Sequence, residues 1–122
     1  MEMCQPVFIF NTFFYPAVVA AIQSDNWRKP LRMVKRTKIN LFKCRRVFVP
    51  INQGNAHWVF VEIDMWGKTV RFYDSMQGGP ERGLGIADKI KRFLIEYQCK
   101  LDVKEPPYAT SFHLEIAQNY PQ

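Results

Sequence analysis

The chain has 122 residues, 48% of them apolar and 23% charged, which is the balance of one globular domain and excludes a disordered tail or a collagen-like repeat. Its uninterrupted apolar runs fall well short of the roughly 20 residues a membrane-spanning helix needs. Glu2, with no basic residue before the short apolar run at 7–10, argues against a secretory signal. Seventeen Lys and Arg against eleven Asp and Glu give a formal charge of +6, and nine of the seventeen fall between Arg28 and Arg46. No acid lies between Asp25 and Glu62. Such a segment attracts phosphates or the acidic face of a protein; equally, it serves as a solvated face. No zinc-finger, RRM or homeodomain pattern accompanies it, so nucleic acid is not the expected partner.

In chain order, residues 7–10 form a short β-prone run, and Asn11-Thr12 can cap a helix that runs through Phe13, Phe14, Val18, Val19 and Ile22. Pro16 fits that helix only within its first turn. Leu31 to Lys35 suggests a second short helix, and residues 39–42 read as extended. Residues 47–51 form a β-branched and aromatic strand that Pro50 is expected to end. Gln53-Gly54-Asn55-Ala56 is a loop, residues 58–64 and 69–74 are two strands, and residues 75–85 are a loop punctuated by Gly and Pro. Leu84, Ala87, Ile90, Phe93, Leu94 and Tyr97 then recur at helical spacing, with charged residues opposite. Beyond Cys99 the pattern fades, and Pro106-Pro107 reads as an extended connector.

Three cysteines, Cys4, Cys44 and Cys99, are widely spaced and form neither a CxxC pair nor a zinc-like set with His57 and His113. No metal or cofactor is expected. Each thiol is expected to act as a small buried hydrophobe, and a reducing compartment, nucleus or cytoplasm, is the natural setting.

The hairpin can be tested by register. A turn centred between Trp66 and Gly67 sets Glu62 opposite Arg71, an ion pair, and Phe60 opposite Tyr73, an aromatic pair. It also sets Ile63 opposite Val70 and Val61 opposite Phe72, so one face is apolar; a slip of one residue destroys both features. Asp74 then faces Val59, and His57, two residues back on the same face, is its diagonal neighbour. An imidazole held by a carboxylate through one nitrogen has the other free to act as a base. Spacing alone also allows an ordinary ion pair at a sheet rim.

Phe10-Asn11-Thr12-Phe13-Phe14-Tyr15, Val34-Lys35-Arg36, Val49-Pro50-Ile51-Asn52, His57-Trp58 and Phe72-Tyr73-Asp74-Ser75-Met76 follow one another in a recognisable order. The series resembles the SUMO-specific, or ubiquitin-like-protein-specific, cysteine proteases of the sentrin-specific type. The family's Trp within the basic stretch is missing here. The resemblance implies an α+β, papain-like cysteine protease fold in partial form, with a central antiparallel hairpin and sheet packed with helices. It implies that His57 is the catalytic base, that Asp74 orients it, and that Trp58 lines a channel for a Gly-Gly tail. The partner it implies is SUMO or another ubiquitin-like protein and its conjugates, met by a monomer away from membranes.

The family's cysteine nucleophile and oxyanion glutamine belong to a later Asp-Cys-Gly motif. Tyr120-Pro121-Gln122 resembles the lead-in to that motif, so residues 1–122 are expected to be a partial catalytic domain. The missing parts are the Cys segment and the family's N-terminal Trp-containing segment. Cys4, Cys44 and Cys99 lack the motif's context, and none is expected to attack a substrate. On this reading the chain is a fragment of a deSUMOylating isopeptidase, inactive as given. The alternative is a non-catalytic SUMO-binding module that uses the basic segment 28–46.

Overall fold

The computed structural model describes residues 7–54, 57–74, 80–102, 104 and 108–117. Its elements are β1 (Val7–Ile9), α1 (Phe14–Ser24), α2 (Arg28–Thr37), a 3-10 turn at Leu41–Lys43, β2 (Arg46–Gln53), β3 (His57–Asp64), β4 (Thr69–Asp74), α3 (Pro80–Leu101), a second 3-10 turn at Ala109–Ser111, and β5 (His113–Ile116). The five strands form one sheet in sequence order, β1-β2-β3-β4-β5. β2, β3 and β4 are antiparallel, as expected, while the outer strands β1 and β5 run parallel to their neighbours. The sheet is therefore mixed rather than purely antiparallel.

The hairpin register is the one that the sequence specifies. Glu62 pairs with Arg71, Phe60 with Tyr73, Ile63 with Val70, Val61 with Phe72 and Val59 with Asp74. The apolar face is buried, and Val47, Val49 and Ile51 of β2 extend it. Against that face α3 lays Ala87, Ile90, Phe93 and Leu94, all fully buried, and α1 adds Phe14 and Val18. Phe14 meets the edge of Phe93 at 4.8 Å between ring centres and stacks on Phe10. Burying each of the larger of these side chains stabilises the fold by about 1.5–3 kcal/mol before the entropy of ordering it is counted.

Local chemistry explains where the elements begin and end. Asn11 Oδ1 accepts the Phe13 N–H at 2.9 Å, and Pro16 is the third helical residue of α1, where a missing N–H costs no intrahelical bond. α2 is longer than residues 31–35. Asn26 Oδ1 takes the Arg28 N–H at 3.0 Å, and Pro30 again sits in the first turn. Of residues 39–42, Asn40 is extended but Leu41 and Phe42 are not, because the Asn40 side chain accepts the Phe42 N–H at 2.9 Å and caps a 3-10 turn. Pro50 does not end β2: β1 pairs only with Arg46 to Phe48, so at Pro50 the strand has become an edge and tolerates a missing donor.

The loop expected up to residue 85 is helical from Pro80 onward. Proline suits a first helical position, and Gly83 is required by packing rather than by a turn. A Cβ there would come within 2.4 Å of the Phe72 ring and 2.7 Å of the Ile116 side chain. The glycine lets α3 press on β4 and β5. β5 is four residues long, too short for its alternation to stand out. Pro106-Pro107 lies outside the described residues.

Candidate active site

His57 opens β3 and Asp74 closes β4, so both lie at the same end of the hairpin. They are diagonal rather than opposed: Asp74 pairs with Val59, and His57 pairs across β2 with Gln53. His57 Nε2 lies 2.9 Å from Asp74 Oδ1, with the carboxylate buried and the ring partly exposed. This is hydrogen-bond distance with Nε2–H as donor, which leaves Nδ1 with no hydrogen bond among the described residues. A ring held in this way can take a proton on Nδ1, and the buried carboxylate then stabilises the resulting cation.

Trp58 points to the other face of β3, and its side chain is 53% exposed. Gln53 belongs to β2 rather than to a loop, and its Oε1 is buried with no hydrogen-bond partner among the described residues. Continuing the β2–β3 register back to His57 is the signal in the sequence that would have exposed it. A cavity of about 670 Å³ opens beside Gln53, between α1 and the first turns of α3, with Tyr15, Val19 and Arg82 in its wall. Burial pushes the Tyr15 phenol above its ordinary range, and the nearby Arg82 charge partly offsets the rise.

Neither described cysteine reaches this end of the molecule. Cys44 is buried two residues before Arg46, and Arg46 pairs with Asp64, seven residues along β3 from His57. At about 3.3 Å per residue, that places it some ~23 Å from the histidine. Cys99 is exposed, contrary to expectation, because it falls on the solvent side of α3. It lies nineteen residues from Pro80, whose turn lines the same cavity as Gln53, or about 28 Å at 1.5 Å per residue. Cys4, Ser75 and residues 118–122 lie outside the described residues.

The basic segment is not one surface. Arg46 pairs with Glu62 at 3.3 Å, and the Arg45 guanidinium lies 4.5 Å from the Trp66 ring centre, both at the far end of the hairpin. Arg28, Lys29, Arg32, Lys35 and Arg36 are on α2 and are exposed.

Comparison with known proteins agrees with the fold. The model of the Ulp1 protease family, C-terminal catalytic domain, matches residues 4–122. Ubiquitin-like-specific protease 1 of Saccharomyces cerevisiae is 30% identical over 88 residues, which are 71% of this chain and 14% of the relative. The sentrin-specific protease of Caenorhabditis elegans is 37% identical over 75 residues, 60% of this chain and 10% of the relative. Human sentrin-specific protease 2 is 35% identical over 86 residues, 70% of this chain and 13% of the relative. Among solved structures, the SUMO protease Ulp1 with its catalytic cysteine oxidised to a sulfenic acid superposes with a TM-score of 0.72 at 25% identity. That match covers 96% of this chain and 50% of the solved one. The C-terminal Ulp1 protease domain in complex with Smt3, the yeast orthologue of SUMO, gives 0.70 at 23% identity with the same coverage. The chain thus spans about half of the solved domains and a small part of the full-length relatives, with their α+β fold throughout. With a sheet, helices and sequence that all align, the chain belongs to the Ulp1 protease family.

Proposed function

We propose that this chain supplies the general base and its orienting carboxylate to a deSUMOylating cysteine peptidase acting after a Gly-Gly tail. The observation that carries the reading is the 2.9 Å contact between His57 Nε2 and Asp74 Oδ1, which engages one ring nitrogen and leaves Nδ1 for the role of proton acceptor. In the reaction, Nδ1 takes the proton of an attacking thiol, and the thiolate adds to the carbonyl carbon of the terminal glycine. The C–N bond breaks as the imidazolium returns that proton to the leaving amine. Water then attacks the thioester with the same base, regenerating the thiol and releasing the glycine carboxylate. Trp58, flat, exposed and one residue from the base, is assigned to the wall of a channel that only side-chain-free glycines can thread.

The attacking thiol is not assigned to Cys44 or Cys99, both far from Nδ1. The 122 residues alone are therefore expected to turn over no SUMO–Gly-Gly substrate carrying a C-terminal fluorophore. Turnover by the chain alone, abolished by His57→Ala, would overturn that expectation. The catalytic role itself is tested by grafting residues 7–117 in place of the matching segment of the yeast relative. A folded chimera should cleave the substrate and lose cleavage with His57→Ala. A folded chimera whose activity is indifferent to His57 would instead favour a non-catalytic SUMO-binding module.

A further inference from the structure

α2 carries its cations on one side. Arg28, Arg32 and Arg36 are spaced four residues apart, so their Cα atoms rise by about 6 Å per step along one helix face. The opposite face buries Pro30 and Val34 against the core. Among the described residues, no ion pair neutralises these arginines or Lys29. Beneath the arginines lies a groove of about 520 Å³ between α1 and α2, with a floor made by Ala17, Ala20, Ala21 and Met33. It shares only Ala20 with the cavity beside Gln53. An occupant of the groove would leave the His57 end open.

We infer that this groove is a docking site for an acidic helical segment of a partner protein, separate from the His57–Asp74 site and independent of any peptidase role. The three guanidinium forks match carboxylates four residues apart on a facing helix, where charge-assisted, two-pronged hydrogen bonds form. The floor of methyl groups and a thioether accepts small apolar side chains between those carboxylates, and its alanines let two helices approach closely. A nucleic-acid backbone would use the same cations but gain nothing from the apolar floor.

The test uses the full 122-residue chain and three fluorescent probes: a helical peptide with Glu at four-residue spacing and Ala or Leu beside each, its scrambled counterpart, and a duplex DNA of equal charge. The patterned peptide should bind at least about tenfold more tightly than the scrambled one or the DNA, and Arg32→Glu should erase that preference. Arg28→Glu, at a residue that is also exposed, should do the same if Arg32→Glu does not fold. Amide shifts on binding should fall on α1 and α2 and spare β3. Equal binding of patterned and scrambled peptides overturns the inference, as does tighter binding of the DNA. So do shifts centred on His57.

Discussion

His57 and Asp74 meet at 2.9 Å although neither is the other's partner in the β-ladder. The contact depends on two registers at once, because β2 must pair His57 with Gln53 while β4 pairs Asp74 with Val59. The first prediction concerns its tautomer. In the neutral ring the proton should sit on Nε2, facing the carboxylate, and the two-bond ¹H–¹⁵N spectrum should show a bare Nδ1. Asp74→Ala should mix the two tautomers without unfolding the sheet. A wild-type ring with its proton on Nδ1 would remove the base from the proposed mechanism.

Gly83 and Gly85 make a matched pair in α3. A Cβ at Gly83 meets the ring of Phe72 and the side chain of Ile116, whereas one at Gly85 has nothing within 4 Å. Gly83→Ala should therefore destabilise by about 1–3 kcal/mol through overpacking. Gly85→Ala should stabilise by about 0.5–1 kcal/mol, since alanine is the better helix former. Urea unfolding of the two variants checks the pair, and equal effects would mean that α3 does not press on β4 as described.

The contrast shows what was legible in the sequence. The hairpin was readable because one register satisfies an ion pair, an aromatic pair and an apolar face at once, and from it the diagonal of His57 and Asp74 follows. Gly83 gave the opposite impression, because a glycine demanded by close helix–sheet approach is indistinguishable in sequence from one that makes a turn. Pro50 misled for a related reason: whether a strand tolerates proline depends on how far its neighbour extends. Gln53 looked like loop because Gly54 and Asn55 follow it, and only the β2–β3 ladder reveals it beside His57. The nine basic residues looked continuous, yet Arg46 is tied to Glu62 while those of α2 are not.

Tyr97 connects α3 to the 3-10 turn, its hydroxyl accepting the Leu41 N–H at 3.0 Å in a buried setting. Tyr97→Phe leaves that donor without a partner and should cost about 1–3 kcal/mol. Burial raises the Tyr97 phenol, and the Leu41 N–H only partly counters it; burial raises Tyr15 and Tyr73 as well. The folded values thus exceed the unfolded value of 10.0, so the stability tied to the neutral phenols is complete below that pH. It is lost as pH rises through the folded values, because the unfolded chain ionises first. Stability should accordingly fall above pH 10, less steeply in Tyr97→Phe, and absorbance at 295 nm should report the delayed ionisation. Three tyrosines titrating at the free value would refute the burial described.

Glu62 lies on the outer face of the sheet yet is only 4% exposed. Its Oε1 accepts from Arg71 at 2.8 Å and from the Tyr73 hydroxyl at 2.7 Å, its Oε2 is 3.3 Å from Arg46, and Arg71 reaches on to Glu115 at 3.1 Å. The carboxylates and hydrogen bonds hold the Arg71 guanidinium above its ordinary value despite the opposing effect of burial. Three strands are tied together by one acid, so Glu62→Gln, which keeps the shape and removes the charge, should cost about 1.5–3 kcal/mol. Most of the loss should persist in molar salt, because a buried carboxylate is poorly screened. The exposed pair of Lys104 and Asp102, at 3.8 Å, is the control, and Asp102→Asn should change stability by less than about 0.5 kcal/mol. Urea unfolding at low and high salt separates the two cases. If Glu62→Gln proved as mild as Asp102→Asn, the outer face would owe its cohesion to the stacked Phe60 and Tyr73 rings, 4.4 Å apart, rather than to its charges.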